Sequence, residues 1–290
     1  MNRQVKIEVF SANGLSFTCR TCGLEQQGEL IIFLHGFPES SIIWEKLMQT
    51  MAEKGYRCLA PNQRGYSDGA RPEGIGNYTN RALASDIVAL ADTVGNAEKF
   101  HLVGHDWGAA IGWTVVTLYP ERIVSWSALS VPHSAAYKWA LSNDKVQREK
   151  SQYIFTFMEP EVPESLLGAN DCERLRKLWE GFDQNFIEDY LKIFRQKEAR
   201  TATINWYRAA FKTSENGDSP AIPNWDVHTP TLFIWGSNDL AIAKAGVELS
   251  HTYMKGDYKF IELDAGHWLM QFNDEICIKE IAEYIEKHKE

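Results

Sequence analysis

GHDWG at residues 104–108 stands between an apolar run, residues 100–103, and a helix-like stretch, residues 109–118. The two glycines of the pattern can adopt backbone conformations that other residues avoid, so they allow a sharp turn from a strand into a helix. Such a turn lifts the side chain of Asp106, which lies between them, above the end of a sheet. The spacing therefore predicts that Asp106 is a reactive residue held on a strand-to-helix turn.

The carboxylate of Asp106 indicates a particular kind of nucleophile. A serine would need a base to remove its proton before it attacked an acyl carbon, whereas an aspartate is normally ionised at neutral pH. An ionised carboxylate suits displacement at an alkyl carbon, with a covalent ester as the intermediate. The pattern alone leaves one alternative open, in which Asp106 only caps the start of a helix in a tight turn.

Two later strands end in residues that complete a catalytic triad. The apolar run at residues 231–235 indicates a buried strand, and residues 258–263 indicate a further strand. These two strands lead into the loops of Asp239 and His267. Nucleophile, acid and histidine thus follow the chain order of hydrolytic triads on parallel sheets. We predict that Asp239 orients His267 and that His267 is the general base. Asp264 is a rival acid, but its place in the loop of His267 favours a role in shaping the turn.

An earlier loop is predicted to stabilise negative charge. The apolar strand at residues 30–34 runs into HGFP at residues 35–38. Loops of this kind supply a backbone N–H to an oxyanion hole, together with the residue that follows the nucleophile. We therefore predict that the backbone N–H groups of Phe37 and Trp107 form the oxyanion hole.

Strands and helices alternate along most of the chain, which predicts an α/β fold with a mostly parallel central sheet flanked by helices. The alternation stops near residue 135 and resumes at residue 231. The intervening part lacks apolar strand runs and shows helical patterning rich in aromatic residues. We predict a core domain of residues 1–134 and 226–290, with a helical cap of residues 135–225 inserted at a loop.

The composition narrows the class of protein. With 290 residues, 44% hydrophobic and 24% charged, the chain can bury a large core without disulfides or a structural metal. The formal charge of −9 disfavours nucleic acid and anionic membranes as partners. No apolar run approaches the roughly 20 residues of a membrane helix and no signal-peptide pattern is present, so we expect a cytoplasmic location. No metal or phosphate motif occurs, so we expect no metal and no cofactor.

Three segments, residues 35–39, 104–108 and 131–133, carry a resemblance to a known family. With them, the chain resembles epoxide hydrolases of the α/β-hydrolase superfamily, which are relatives of haloalkane dehalogenases, over nearly its whole length. The resemblance implies the α/β-hydrolase fold and the conversion of a small apolar epoxide and water to a vicinal diol. The reaction would pass through an alkyl ester on Asp106, which water activated by His267 then hydrolyses.

The family has two cap tyrosines that hold the epoxide oxygen, one in a Tyr-x-x-x-Phe-x-Glu-Pro segment and one in an Asn-Trp-Tyr-Arg segment. Residues 153–160 and 205–208 match these two segments position by position. The resemblance therefore implies that Tyr153 and Tyr207 donate hydrogen bonds to the oxygen as the ring opens. The alternative is that both are aromatic residues that pack inside the cap.

The substrate pocket is predicted to be apolar, because aromatic residues cluster around the motifs and in the cap. Its predicted lining consists of Phe37, Trp107, Phe155, Phe157, Met158 and Trp268.

Two other functions compete with epoxide hydrolysis. A haloalkane dehalogenase would share the nucleophile and the histidine, but that family usually has asparagine where this chain has Phe37. A protein of the same fold that only binds a small ligand would not need a placed acid and base. Release of a diol or of a halide would distinguish these functions.

Overall fold

The chain folds around one central sheet. The structure is a computed structural model that describes residues 4–94, 98–211 and 225–290. Within these ranges the sheet has eight strands in the order β1-β2-β4-β3-β5-β6-β7-β8. The strands are β1 (Lys6–Ala12), β2 (Leu15–Cys22), β3 (Leu30–Leu34), β4 (Arg57–Pro61), β5 (Phe100–His105), β6 (Ile123–Leu129), β7 (Thr231–Gly236) and β8 (Tyr258–Leu263).

Most strand pairs are parallel. Only the pairs β1–β2 and β2–β4 are antiparallel among the described residues, and every pair from β4–β3 to β7–β8 is parallel. The β1–β2 hairpin turns at Asn13 and Gly14, whose φ angles of 51° and 75° suit these two residue types. The predicted mostly parallel sheet is confirmed.

Helices cover both faces of the sheet. The described α-helices are α1 (Glu45–Glu53), α2 (Asn80–Thr93), α3 (Trp107–Leu118), α4 (Ser134–Asn143), α5 (Lys145–Lys150), α6 (Tyr153–Met158), α7 (Val162–Leu178), α8 (Gln184–Phe194), α9 (Lys197–Phe211), α10 (Lys244–Ser250), α11 (Leu269–Phe272) and α12 (Asp274–Lys287). Helix α1 packs against α12, and α2 packs against α3. Every residue of β3, β5, β6 and β7 is buried, because parallel strands between two helical layers have no side that faces water.

Helices α4 to α9 lie between β6 and β7 along the chain, where the sequence predicts a cap. Helix α7 is interrupted, because Asn170, Asp171 and Cys172 adopt positive φ angles. Helix α9 is the most buried of the six, and every residue from Ala202 to Arg208 in it is buried. The predicted cap boundaries, residues 135–225, stay a prediction, and residues 212–224 lie outside the described part of the chain.

Buried polar contacts join these helices to the core. The side chain of Gln147 is fully buried; its Nε2 donates to the carbonyl of Ala241 at 2.8 Å. Its Oε1 accepts from the backbone N–H of Ala243, also at 2.8 Å. On α9, the indole N–H of Trp206 donates to the carbonyl of Arg64 at 2.9 Å. Because these groups are withdrawn from water, each bond would be costly to leave unmade.

The described residues also bear on two expectations about partners. None of their helices combines the length and the apolar composition that a membrane span needs. No group of three or more His, Cys, Asp or Glu side chains suited to a metal ion occurs among them.

Candidate active site

The strand-to-helix turn at Asp106 is sharp and strained. Asp106 joins β5 to α3 with φ 53° and ψ −119°, a conformation that a non-glycine residue rarely adopts. A Cβ on Gly108 would lie 2.1 Å from the carbonyl oxygen of Leu34, and one on Gly104 would lie 2.5 Å from the carbonyl oxygen of Gly108. Both glycines are therefore required by close backbone approach, as the spacing predicts.

The carboxylate of Asp106 lies against the loop after β3. The backbone N–H of Phe37 donates to Oδ1 of Asp106 at 2.8 Å. Trp107 is the first residue of α3, so its N–H has no partner within the helix. The structure thus brings the nucleophile and both predicted oxyanion donors together, and a helix N-terminus adds a favourable field for negative charge.

His267 lies between two carboxylates. Its Nε2 is 3.5 Å from Oδ2 of Asp106, and its Nδ1 is 2.9 Å and 3.0 Å from the two oxygens of Asp239. Asp239 is fixed in turn by the backbone N–H groups of Ala241 at 2.7 Å and Ile242 at 2.9 Å. The three residues predicted as a triad are therefore in contact, in the order nucleophile, histidine, acid.

The rival acid lies elsewhere. Asp264 is exposed and accepts a hydrogen bond from Nδ2 of Asn238 at 2.8 Å. Nδ1 of His267 is occupied by Asp239 instead. Asp264 therefore acts on the shape of the loop.

The charges of the triad stabilise each other. Burial raises the pKa of Asp239, but the charge of His267 and hydrogen bonds from His267, Ala241 and Ser130 lower it to about 2. Burial lowers the pKa of His267, but the charge of Asp239 and hydrogen bonds to Asp106 and Asp239 raise it well above its usual value. In the free enzyme His267 is therefore held as an imidazolium between two carboxylates.

A second histidine, His105, contacts two loops of the site. His105 is fully buried; its Nδ1 is 2.9 Å from Oε2 of Glu39, and its Nε2 is 2.9 Å from the carbonyl oxygen of His267. Glu39 also accepts from the backbone N–H of Gly36 at 3.1 Å and from the side chain of Gln271. Burial lowers the pKa of His105, but Glu39 more than compensates and raises it. This pair links the oxyanion loop to the loop of His267.

The two predicted phenols face the nucleophile from the cap. Tyr207 on α9 and Tyr153 on α6 have ring centroids 6.0 Å apart, and the ring of Tyr207 meets that of Trp107 at 4.9 Å. Desolvation, with the nearby charge of Asp106 among the further causes, raises the pKa of both phenols well above the usual value. Tyr207 is 3% exposed and Tyr153 is 37% exposed, so Tyr153 lies nearer to solvent. Both phenols therefore keep their protons at neutral pH.

A cavity of about 460 Å³ contains the nucleophile and both tyrosines. Its apolar lining includes Trp107, Ala110, Val131, Pro132, Leu141, Ile154, Ala210, Phe211, Trp225, Ala241 and Ile242. Its size and its mostly apolar wall suit a small organic molecule with a few polar groups.

Most of the residues predicted to line the substrate pocket do not line this cavity. Trp107 lines the cavity, and Phe37 lies behind it with its ring 5.4 Å from that of Tyr207. Phe155 is 73% exposed and Met158 lines a separate cavity. The cause is the orientation of α6, which turns Tyr153 and Ile154 towards the nucleophile.

The two other predicted pocket residues pack around the site without lining the cavity. The ring of Phe157 is 4.9 Å from that of Tyr207, and the ring of Trp268 is 4.7 Å from that of His267. Both rings therefore pack beside Tyr207 and His267 outside the lining of the cavity.

Two residues of the site escape sequence reasoning. Ser130 follows β6 with φ 71°; its Oγ donates to Oδ2 of Asp239 at 2.8 Å and lies 3.0 Å from Nδ1 of His267. Tyr137 on α4 lines the cavity, and burial raises its pKa to about 12. The only sequence signal for Ser130 is its place at the end of β6, the strand beside the one that leads to Asp106. Tyr137 has no sequence signal beyond being aromatic.

Comparison with known proteins defines the family. Residues 29–274 match the family described as alpha/beta hydrolase fold. The chain is 33% identical to the AB hydrolase superfamily protein YfhM of Bacillus subtilis, over 97% of this chain and 98% of that protein. It is 29% identical to Epoxide hydrolase A of Mycobacterium tuberculosis, over 85% of this chain and 87% of that protein. The chain belongs to the α/β-hydrolase fold family.

Solved structures agree with this family. One is described as novel epoxide hydrolases of the alpha/beta hydrolases superfamily in metagenomes from hot environments. It superposes with a TM-score of 0.83 at 26% identity, and the match covers 97% of this chain and 99% of that one. The similarity therefore includes both the core and the helices between β6 and β7.

Proposed function

We propose that this chain is an epoxide hydrolase that converts a small apolar epoxide to a vicinal diol through an ester on Asp106. The observation that carries the proposal is the placement of Tyr153 and Tyr207 in the same cavity as Asp106. A carboxylate attacks carbon, and two protonated phenols stabilise the oxygen that this attack releases. Relatives along most of the chain are named epoxide hydrolases, which supports the proposal.

In the first step, the carboxylate of Asp106 attacks one carbon of the epoxide. The C–O bond of the ring breaks, and its electron pair goes to the oxygen. The phenols of Tyr153 and Tyr207 donate hydrogen bonds that strengthen as this oxygen gains charge, and one of them transfers its proton. The products are an alkyl ester on Asp106 and a neighbouring hydroxyl group.

In the second step, water hydrolyses the ester. Formation of the ester removes the negative charge of Asp106, which is one of the groups that raise the pKa of His267. The pKa of His267 therefore falls in the ester, and the imidazolium gives up its proton through water to the tyrosinate that the first step left. The neutral ring can then accept a proton from the attacking water. The resulting hydroxide adds to the ester carbonyl, and the N–H groups of Phe37 and Trp107 stabilise the oxyanion. As the ester C–O bond breaks, the departing alkoxide takes the proton of His267 and leaves as the diol, and the new carboxylic acid of Asp106 gives its proton to His267.

Three features support this division of labour. His267 contacts Asp106 at 3.5 Å, so one water molecule can reach both groups with a small shift. Asp239 is fully buried and low in pKa, which keeps its charge beside the imidazole throughout the cycle. Asp106 lines the same cavity as the two phenols, so a substrate bound there meets the nucleophile and the proton donors together. A cytoplasmic location stays a prediction.

The proposed function is tested with a panel of aromatic and aliphatic epoxides together with matched chloro- and bromoalkanes. Purified protein is incubated with each compound, and diol and halide are both quantified. We expect diol from at least some epoxides and little or no halide. Halide release without diol would instead make the chain a dehalogenase, and stoichiometric binding without either product would make it a ligand-binding protein.

A further inference from the structure

Arg208 follows Tyr207 on α9 and is almost completely buried, with 8% of its surface exposed. Its Nη1 and Nη2 bind the two carboxylate oxygens of Glu164 at 2.7 Å and 3.1 Å. The same Nη2 donates to the carbonyl oxygen of Glu159 at 2.7 Å. The guanidinium thus holds a side chain and a backbone group that belong to different parts of the chain.

These contacts join the helices of the two phenols. Glu159 is the C-cap of α6, which runs from Tyr153 to Met158. Glu164 lies in the first turn of α7. Because Arg208 and Tyr207 are neighbours on α9, the guanidinium connects the helix of one phenol with the far end of the helix of the other.

Helix α6 is short, so contacts at its ends add to its packing against α7 and α9 in holding it in place. It has six residues, and Ile154 is the only one of them that is buried. A helix this short is marginal without tertiary contacts. The position of Tyr153 therefore depends on what holds the ends of α6.

The pair is not explained by stability alone. A buried ion pair contributes little net stability compared with apolar side chains of similar volume, because both charges lose their water. The planar fork of arginine has the added property of binding several acceptors in one fixed geometry. A hydrogen bond from a phenol to the reacting oxygen needs that kind of fixed geometry, since its strength falls steeply with misalignment.

We propose that Arg208 is a positioning residue that sets the separation of the Tyr153 and Tyr207 hydroxyls so that both reach one oxygen. The catalytic part of this inference rests on the proposed function. The geometric part, in which Arg208 fixes α6 against α9, stands on the contacts alone.

The geometric part is tested by crystal structures of Arg208→Lys and of the control Arg195→Lys. Lysine keeps the charge opposite Glu164 but cannot also hold the carbonyl of Glu159 in the same plane. Arg195 pairs with the exposed Asp171 and serves as a surface control in the same part of the chain. We expect the ring separation of Tyr153 and Tyr207 to change by more than about 0.5 Å, the tolerance of a preorganised site, in Arg208→Lys only. An unchanged separation in Arg208→Lys would overturn the inference.

The catalytic part is tested by pre-steady-state rates in two backgrounds. In the wild-type background, Arg208→Lys should slow ester formation by about tenfold and leave ester hydrolysis unchanged, since misplaced groups lose rate steeply. In a Tyr153→Phe background the same change should cost less than about twofold, because the group that it positions is already absent. Equal losses in the two backgrounds would show general destabilisation and contradict the inference.

Two further measurements separate the possible failures. If Arg208→Lys does not fold, the double variant Arg208→Met/Glu164→Met removes both charges together and takes its place. If wild-type protein forms no ester from any epoxide, the proposed function fails, while the ring separation in the crystal structures still decides the positioning role.

Discussion

His267 sits between two carboxylates, and only one of them changes charge during the proposed cycle. Asp239 stays ionised, with its pKa lowered to about 2, whereas Asp106 loses its charge when the ester forms. The pKa of His267 is well above its usual value in the free enzyme, so the ring is protonated when the substrate binds. In the proposed cycle His267 becomes a base only after Asp106 has reacted, which orders the two steps.

This order predicts different pH dependences for the two steps. Ester hydrolysis needs neutral His267, so its rate should rise as the pH rises through the pKa of His267 in the ester. Ester formation needs no base, so it should not show that increase. Single-turnover experiments across the pH range would resolve the two rates. A common acid limb assigned to His267 in both steps would contradict the proposed roles.

The phenols predict a second difference between the steps. Tyr153→Phe and Tyr207→Phe each remove one donor to the developing alkoxide, so each should slow ester formation by ~10-fold to ~1000-fold, about 1.4 to 4 kcal/mol. Ester hydrolysis should barely change. Stopped-flow rates with an epoxide test this, with Tyr119→Phe, at the residue that follows α3, as the control. Unchanged ester formation would make both tyrosines packing residues.

At the scale of elements, the site depends on backbone segments that touch each other. A Cβ on Gly36 would lie 2.4 Å from Oδ1 of Asp106, so the oxyanion loop and the strand-to-helix turn leave no room for a methyl group. The N–H of Phe37 reaches the carboxylate because the loop lies this close. The absence of a side chain at residue 36 is therefore part of the site.

This contact predicts that Gly36→Ala inactivates the protein without unfolding the sheet. The added methyl group must displace Asp106 or the loop, and ester formation should fall by about 100-fold, which is typical of a misplaced reacting group. Gly76→Ala is the control, since a Cβ there meets nothing within 4 Å. Ester formation and circular dichroism are measured for both variants, and near-normal ester formation in Gly36→Ala would contradict the account.

The elements also show what the sequence could and could not predict. The approach of Asp106, Asp239 and His267 to one another was predictable because each follows a strand, and the ends of parallel strands meet at one edge. The positions of Phe155 and Met158 outside the cavity were not predictable, because the face that α6 turns to the cavity depends on its packing against α7 and α9. The contact of Ser130 with Asp239 was missed because the two residues are 109 positions apart, and the place of Ser130 at a strand end does not name its partner.

At the scale of the whole molecule, the active site lies where two regions meet. The strands and loops of the sheet carry Asp106, Asp239 and His267, and the helices between β6 and β7 carry Tyr153 and Tyr207. Gln147 ties these regions together beside Asp239, because its partner Ala241 also donates to Asp239 and its partner Ala243 follows Ile242, the other backbone donor to Asp239.

We expect replacement of the Gln147 amide to lower the stability of the fold. Gln147→Met keeps the volume but leaves the carbonyl of Ala241 and the N–H of Ala243 buried without partners. Each unsatisfied group costs about 1–3 kcal/mol, so the free energy of unfolding should fall by at least about 2 kcal/mol. Urea unfolding measures the change, and Gln184→Met, at an exposed position of α8, is the control. A loss no larger than that of the control would show that the amide is not a structural link.

In the proposed reaction Asp106 becomes covalently attached to the substrate. His267→Gln should still allow ester formation but remove the base for hydrolysis, so the ester should accumulate. Asp106→Asn provides the control, because it lacks the nucleophile. The measurement is peptide mass spectrometry of His267→Gln after incubation with a saturating epoxide that the wild type converts. We expect the peptide that contains Asp106 to gain the mass of the substrate, and an unmodified peptide would contradict the account.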